Sequence, residues 1–258
     1  MNNSIVKVYF IGAGPGDPEL ITVKGKRIVE EADIIIYAGS LVNRRVLEYA
    51  KDSAQFFDSA GMNLDEVLKV IDDNRKSSSI IARVHSGDPS IYGAIQEQIE
   101  WCEKQGISYE VIPGVSSLFG ASASLHQELT LPGVSQTVIV TRISGRTKVP
   151  LRESIREISK IGATLAIFLS INRIEDVVKD LLNGYAKNTP AAVVYRATWP
   201  EEMIIRGTLE DIADKVKAES IDRQALIFVG DVLNRRGFEL SKLYHKDFTH
   251  SLREAKSE

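Results

Sequence analysis

Short apolar, β-branched runs alternate with stretches of helical character through the first half of the chain. The runs IVKVYFI, ADIIIYAG, SSIIARV and YEVIP occupy residues 5–11, 32–39, 78–84 and 109–113. Strands separated in this way by helical segments are typical of a parallel sheet in an α/β fold. We therefore predict an N-terminal α/β domain over residues 1–113 with a mainly parallel sheet.

Two helices are indicated between these strands. Leu64, Val67, Leu68 and Ile71 form an apolar stripe with i, i+3, i+4, i+7 spacing, and Asn63 precedes it as a candidate N-cap. A second helix is predicted over residues 91–105.

The second half of the chain continues the apolar pattern but with one short connection. Strands are predicted at 136–142, 163–170, 191–197, 202–209 and 225–232. Only TWPEE (198–202) connects the apolar residues of 191–197 with those of 202–209. This connection is too short for a helical crossover, so the two strands should form an antiparallel hairpin. We predict a C-terminal α/β domain over 114–245 with a mixed sheet, a domain junction within 113–135, and a flexible tail over 246–258.

Charge and cysteine content narrow the function classes. The formal net charge of -3 at pH 7 and the isoelectric point near 5.9 disfavour nucleic-acid binding through global positive charge. Binding through a local basic patch stays open. Cys102 is the only cysteine of the 258 residues, so neither an intramolecular disulfide nor a thiolate zinc site is expected. The sequence has no signal-peptide pattern and no apolar run near the roughly 20 residues of a membrane span. We expect a cytoplasmic protein without nucleic-acid or membrane partners.

The glycine-rich loop GAGPGDP (12–18) directly follows the first predicted strand. Such a loop can turn tightly and approach a ligand because its glycines lack Cβ atoms. It does not match a dinucleotide fingerprint: the third glycine comes one residue early, and Pro15 removes an amide donor. The residue types alone leave open a phosphate-binding loop or a purely structural turn.

Two further loops follow predicted strands, HSGDPSIYG (85–93) and PGVSS (113–117). The carboxyl ends of parallel strands are where ligands collect in such sheets. Asp88 could hold a ligand there, or it could simply cap the following helix. Three glycine-containing loops at strand ends suggest one shared cleft.

Familiar catalytic patterns are otherwise missing from the sequence. There is no H-E-x-x-H, no G-x-S-x-G, no Walker lysine and no paired Cys/His group, which disfavours hydrolysis, phosphoryl transfer and a metal site. A basic run follows the 136–142 strand and could be a solvated face or could bind a polycarboxylate ligand. It comprises Arg142, Arg146, Lys148, Arg152 and Arg156.

Five segments together resemble the tetrapyrrole methylase superfamily, over nearly the whole chain. They are GAGPGDPELIT (12–22), YAGSLV (37–42), DSAGMNLDEV (58–67), HSGDPSIYG (85–93) and PGVSS (113–117). The second and third are similar to segments of the C(11)-methyltransferases that act on precorrin-4 or cobalt-precorrin-4 in cobalamin biosynthesis. The resemblance implies two α/β domains with the active cleft between them, a homodimer, and S-adenosyl-L-methionine as cofactor, with S-adenosyl-L-homocysteine as product.

The resemblance also implies site residues by motif position. Cofactor contacts would fall on Pro15, Ser86, Gly87, Asp88, Ile91, Ser116, Ser117, Leu169 and Ala197. The loop bearing Gly14 and Gly16 would line the tetrapyrrole. Relatives that perform the first pathway methylation commonly have Gly at position 86 and Met at position 169, and neither difference excludes an apolar adenine pocket.

Direct methyl transfer would explain the missing catalytic patterns. A tetrapyrrole carbon with enamine character can attack the sulfonium methyl itself, so positioning and a dry site matter more than a protein nucleophile. We hypothesise that Asp17 or Asp88 orients a ligand or assists proton removal, and that Arg142 and Arg146 meet substrate carboxylates. The expected reaction is methylation at C(11) of cobalt-precorrin-4. The alternatives are the metal-free precorrin-4, another ring position, or a non-catalytic nucleotide-binding module.

Overall fold

The computed structural model describes residues 7–75, 80–234, 237–241, 248–249, 251 and 253–254. These residues form two compact units. The first extends to Ala121 and includes Arg196–Glu202, and the second comprises Ser122–Tyr195 and the chain from Met203 onwards. The sequence-based boundary between 113 and 114 stays a prediction, and the predicted tail 246–258 lies largely outside the described residues.

The first unit contains a five-stranded sheet with the order β3-β2-β4-β1-β5. Every neighbouring pair in it is parallel, which confirms the predicted parallel sheet. Its elements are β1 (Lys7–Gly12), α1 (Val23–Glu31), β2 (Ile34–Tyr37), α2 (Arg44–Leu47), β3 (Gln55–Asp58), α3 (Leu64–Asn74), β4 (Ile80–His85), α4 (Gln96–Gln105) and β5 (Ser108–Ile112). The next helix, α5 (Ser117–Ser124), begins in this unit and ends in the second. Short 3-10 helices occur at Pro18–Leu20, Gly39–Leu41 and Ser59–Gly61.

Helices cover both faces of this sheet. On one face Ile11 and Ile35 pack with Ile28 of α1 and Val46 of α2. On the other face the alternate strand positions pack against α3 and α4. Because the strands are parallel, their carboxyl ends, and therefore the loops after β1, β4 and β5, all reach the same edge of the sheet.

The second unit contains a mixed sheet with the order β6-β7-β10-β8-β9. β6 and β7 are parallel and the other neighbours are antiparallel, which confirms the predicted mixed sheet and the β8–β9 hairpin. Its elements are β6 (Val138–Arg142), α6 (Ile155–Ile158), β7 (Thr164–Phe168), α7 (Ile174–Leu181), β8 (Pro190–Tyr195), β9 (Met203–Thr208), α8 (Ile212–Ala218) and β10 (Ala225–Val229). Further 3-10 helices occur at Leu151–Glu153, Ser159–Ile161, Ile171–Arg173 and Asp231–Leu233.

One predicted helix is confirmed and the other begins later than predicted. α3 starts at Leu64, with a capping box between Asn63 and Glu66. α4 starts at Gln96 rather than at residue 91, because Tyr92 and Ala94 adopt φ values of 56° and 48° that interrupt a right-handed helix. Among the described residues, no helix is both long and apolar enough to cross a bilayer.

Candidate cofactor and substrate site

Three of the predicted loops meet at the carboxyl edge of the first sheet. Their strands are neighbours in the order β4-β1-β5. The Ala13 amide donates to the His85 carbonyl at 2.8 Å, and the Gly87 amide donates to the Gly14 carbonyl at 2.8 Å. The backbone of the first loop is thereby joined to that of the second.

Glycine is required where these loops touch. A Cβ at Gly12 would lie 2.6 Å from the Gly114 Cα, and a Cβ at Gly114 would lie 2.2 Å from the Gly87 carbonyl oxygen. Gly87 itself has a φ of 64°, which side-chain-bearing residues rarely adopt. The three loops therefore form one closely packed backbone platform.

Asp88 connects the second loop to the third. Its Oδ1 accepts the Ser90 amide at 2.8 Å, and its Oδ2 accepts the Gly114 amide at 2.9 Å. Both carboxylate oxygens are thus occupied by backbone donors. This arrangement suits a residue that holds the platform in shape.

Asp17 has a similar local role in the first loop. Its Oδ1 accepts the Glu19 amide at 2.9 Å and caps the short helix Pro18–Leu20. Its own amide donates to the Thr198 hydroxyl at 2.9 Å. The two candidate catalytic carboxylates therefore both bind backbone amides.

Sequence analysis missed three residues that hold the first loop. The Asn43 side-chain amide donates to the Gly16 carbonyl at 2.8 Å, and the Trp199 indole donates to the Pro15 carbonyl at 2.9 Å. Thr198 is the third, through its bond from Asp17. Asn43 directly follows the YAGSLV motif, and Thr198 and Trp199 lie in the TWPEE connection. Their positions next to these segments were the sequence features that could have identified them.

The predicted cofactor residues of the first unit offer small hydroxyls and apolar groups. Ser116 is buried and caps α5, with its hydroxyl accepting the Leu118 amide at 3.3 Å. Ser86 and Ser117 are half-buried, whereas Ile91 exposes 40% of its surface. The edge therefore presents hydroxyls and aliphatic surface.

Ala197 also belongs to the first unit and is buried. It lies between Arg196 and Thr198, whose φ values are 45° and 68°. Non-glycine residues are held in this conformation only where the surroundings demand it, and such positions cluster at functional sites.

The remaining predicted residues lie in the second unit. Arg142 ends β6 and pairs in register with Phe168, the last residue of the parallel strand β7. Leu169 follows directly, with a φ of 52° and 68% of its surface exposed. The structure thus brings Arg142 and Leu169 to the same edge of the second sheet, and Arg146 is exposed in the segment after β6.

His85 and Arg83 lie buried on one face of β4. Burial, followed by the nearby Arg83 charge, lowers the pKa of His85 to about 3. Burial also lowers the pKa of Arg83 to about 10. His85 therefore stays neutral at physiological pH, and its Nε2 finds no hydrogen-bond partner within the described part of the chain. The described residues also contain no cluster of three or more His, Cys, Asp or Glu side chains that could hold a metal ion.

The chain belongs to the tetrapyrrole (corrin/porphyrin) methylases, because the model of that family matches residues 7–213. It is 56% identical over 250 residues to a cobalt-precorrin-4 C(11)-methyltransferase of Methanocaldococcus jannaschii, covering 96% of each chain.

Two solved structures are similar to the fold. An X-ray structure of a cobalt precorrin-4 methyltransferase, described as a cobalamin biosynthetic enzyme, matches with a TM-score of 0.86 and 43% identity, covering 88% of this chain and 95% of the other. A uroporphyrin-III C-methyl transferase from Thermus thermophilus, complexed with S-adenosyl homocysteine, matches with a TM-score of 0.76 and 28% identity, covering 89% of this chain and 100% of the other.

Proposed function

We propose that the chain is an S-adenosyl-L-methionine-dependent methyltransferase that methylates C(11) of cobalt-precorrin-4 and releases S-adenosyl-L-homocysteine. The observation that carries the proposal is the 56% identity to a cobalt-precorrin-4 C(11)-methyltransferase along 96% of both chains. The glycine platform adds geometric support, since it offers backbone and hydroxyl groups at the carboxyl edge of a parallel sheet.

The residues at this edge fit a sulfonium nucleoside. The proposed cofactor contacts are Pro15, Ser86, Gly87, Asp88, Ile91, Ser116, Ser117, Leu169 and Ala197. Apolar Ile91 and Leu169 are exposed and suit an adenine ring. Asp88 has both oxygens bonded to backbone amides, so its carboxylate is engaged in joining the loops of the platform.

The strength with which the site binds the cofactor's positive charge matters for the rate. When bound, S-adenosyl-L-methionine supplies an electrophilic methyl group whose positive charge is lost during transfer. Residues that bound the cation strongly would stabilise the ground state more than the transition state. The platform instead orients the ligands and excludes water, while the substrate carbon is the nucleophile.

The tetrapyrrole would lie against the loop of Gly14 and Gly16, with its carboxylates meeting Arg142 and Arg146. Arg142 is the last residue of β6, and Arg146 is exposed in the segment that follows it. Guanidinium groups bind carboxylates through paired, charge-assisted bonds. Replacing both by Gln should raise KM for the tetrapyrrole at least about tenfold while leaving cofactor affinity unchanged. Normal substrate affinity in that variant would contradict this role.

We also propose that the enzyme is cytoplasmic and acts as a homodimer. The single cysteine suits a reducing compartment, and family resemblance supports the dimer. Light scattering of the purified protein should give twice the mass of the 28.6 kDa chain. A monomeric mass would overturn the dimer while leaving the methyltransferase activity untouched.

The proposed function is tested with methyl-labelled S-adenosyl-L-methionine and the tetrapyrrole, cobalt-bound and metal-free in parallel. Mass spectrometry and NMR should locate a new methyl group at C(11) of the cobalt form. Transfer only to metal-free precorrin-4, or to another ring position, would replace the substrate. Binding of a nucleotide through its phosphate, without any methyl transfer, would indicate the non-catalytic module.

A further inference from the structure

Two carbonyl groups of the loop Gly14–Asp17 accept hydrogen bonds from side chains in two other parts of the first unit. Trp199 binds the Pro15 carbonyl at 2.9 Å, and Asn43 binds the Gly16 carbonyl at 2.8 Å. Each donor is a neutral side-chain N–H. Two consecutive carbonyls are thereby each bonded to a protein donor.

Trp199 also packs directly on the loop. A Cβ at Gly16 would lie 2.1 Å from Cδ1 of the Trp199 ring, so the indole occupies the space that a side chain would need. On another side, a Cβ at Gly120 would lie 2.7 Å from the Pro15 ring. The loop is therefore fixed by contacts as well as by hydrogen bonds.

One backbone group of the loop is left over. Gly16 is buried, yet its amide has no acceptor among the described residues. Buried backbone amides are nearly always paired, so an unpaired one beside a proposed ligand site calls for a ligand acceptor. Since the Gly14 and Asp17 amides are bonded within the protein and Pro15 has no N–H, the Gly16 amide is the loop's available backbone donor among the described residues.

We infer that Trp199 and Asn43 are positioning residues for the substrate. By fixing the Pro15 and Gly16 carbonyls, they hold the Gly16 amide ready to donate to an anionic oxygen of the tetrapyrrole, such as a side-chain carboxylate. This inference rests on the proposed function for the identity of the ligand. The fixing of the loop itself does not depend on that function.

The first test measures the loop without any substrate. Trp199→Phe keeps an aromatic ring but removes the donor to Pro15. Hydrogen–deuterium exchange of the peptide covering residues 12–20 should become at least about threefold faster, since the Gly14 and Asp17 amides lose a rigid frame. The matched control is Trp101→Phe, at the other tryptophan of the chain, on α4, which should leave this peptide unchanged.

The second test separates positioning from general stability. In Trp199→Phe, KM for the tetrapyrrole should rise about tenfold, with kcat and the S-adenosyl-L-methionine Kd changed less than about twofold. Asn43→Asp keeps the oxygen that caps α2 but has no N–H to donate to the Gly16 carbonyl, and it should show the same pattern.

The results of these two tests distinguish failure of the inference from failure of the proposed function. Unchanged exchange in Trp199→Phe, or faster exchange with an unchanged KM, would overturn the inference. An equal loss of cofactor affinity in both variants would do so as well, because it would indicate general damage to the platform. Failure of the wild-type enzyme to methylate any tetrapyrrole would instead defeat the proposed function, and the exchange experiment would still decide whether Trp199 fixes the loop.

Discussion

Single residues of the platform are constrained by distances that only glycine satisfies. Gly12, Gly87 and Gly114 approach one another through backbone atoms, and a methyl group at two of these positions has no space. The close approach of the three loops therefore depends on residues without side chains. Their contribution is to let the loops close.

Gly114→Ala should disrupt the platform. Its Cβ would lie 2.2 Å from the Gly87 carbonyl oxygen, so one of the two loops must move. We expect the affinity for S-adenosyl-L-methionine, measured by calorimetry, to fall at least about tenfold. The matched control is Gly61→Ala, where a Cβ meets nothing within 4 Å. Equal affinities in the two variants would contradict the close approach.

Asp88→Asn tests whether that carboxylate is structural. An amide can replace one acceptor oxygen, but its NH2 group would face either the Ser90 or the Gly114 amide. We expect the free energy of unfolding to fall by about 1–3 kcal/mol and cofactor affinity to fall with it. Asp17→Asn, which has one backbone donor to satisfy, should cost less. Unchanged turnover and ligand affinities in both variants would remove any role in orienting ligands or moving a proton.

At the scale of helices and strands, the elements that are encoded by a short stretch of sequence were predicted. The stripe from Leu64 to Ile71 and its Asn63 cap give α3, and the short TWPEE connection gives the β8–β9 hairpin. β3 was not predicted, because its residues QFFD do not form a β-branched run and three of the four are exposed. Its strand conformation comes from pairing with β2.

The motif loops were predictable, but their partners were not. A glycine-rich loop after a strand is visible in sequence, so Gly14 and Gly16 could be singled out. Asn43 and Trp199 reach that loop from 27 and 184 residues away, and no periodicity encodes such contacts. Residues 91–95 were predicted to be helical but are not, and the reason is similar. A Cβ at Gly93 would lie 2.1 Å from the Pro89 carbonyl oxygen, and this contact is set by the loop rather than by helix propensity.

The capping box of α3 provides a measurable test at this scale. Asn63 Oδ1 accepts the Glu66 amide at 3.0 Å, and the Glu66 carboxylate accepts the Asn63 amide at 2.7 Å. Asn63→Ala removes the first bond and should lower the free energy of unfolding by about 1 kcal/mol in urea denaturation. Asn63→Ser keeps a capping oxygen and should restore most of this loss. A full effect in both variants would contradict a capping role.

At the scale of the whole molecule, the stability of the fold should depend on pH through His85, a buried residue of β4. The His85 ring is buried, tilts against Phe10 at a centroid distance of 6.2 Å, and lies near the Arg83 charge. Protonation there would place a second cation in the apolar interior. The folded state therefore binds a proton at His85 more weakly than the unfolded state does.

His85 should make the enzyme less stable as the solution becomes acidic. The folded pKa of His85 is about 3, whereas an unfolded histidine titrates near its ordinary value of 6.5. Below pH 6.5 the unfolded state binds the extra proton, so stability falls with falling pH until the folded pKa is reached. The loss should be about 2 kcal/mol between pH 7.5 and pH 5. His85→Gln should flatten this dependence in urea denaturation, while the exposed His126→Gln should retain it, because that side chain is hydrated in both states. An identical pH dependence in the wild type and His85→Gln would mean that the buried imidazole is not the group that couples protons to folding.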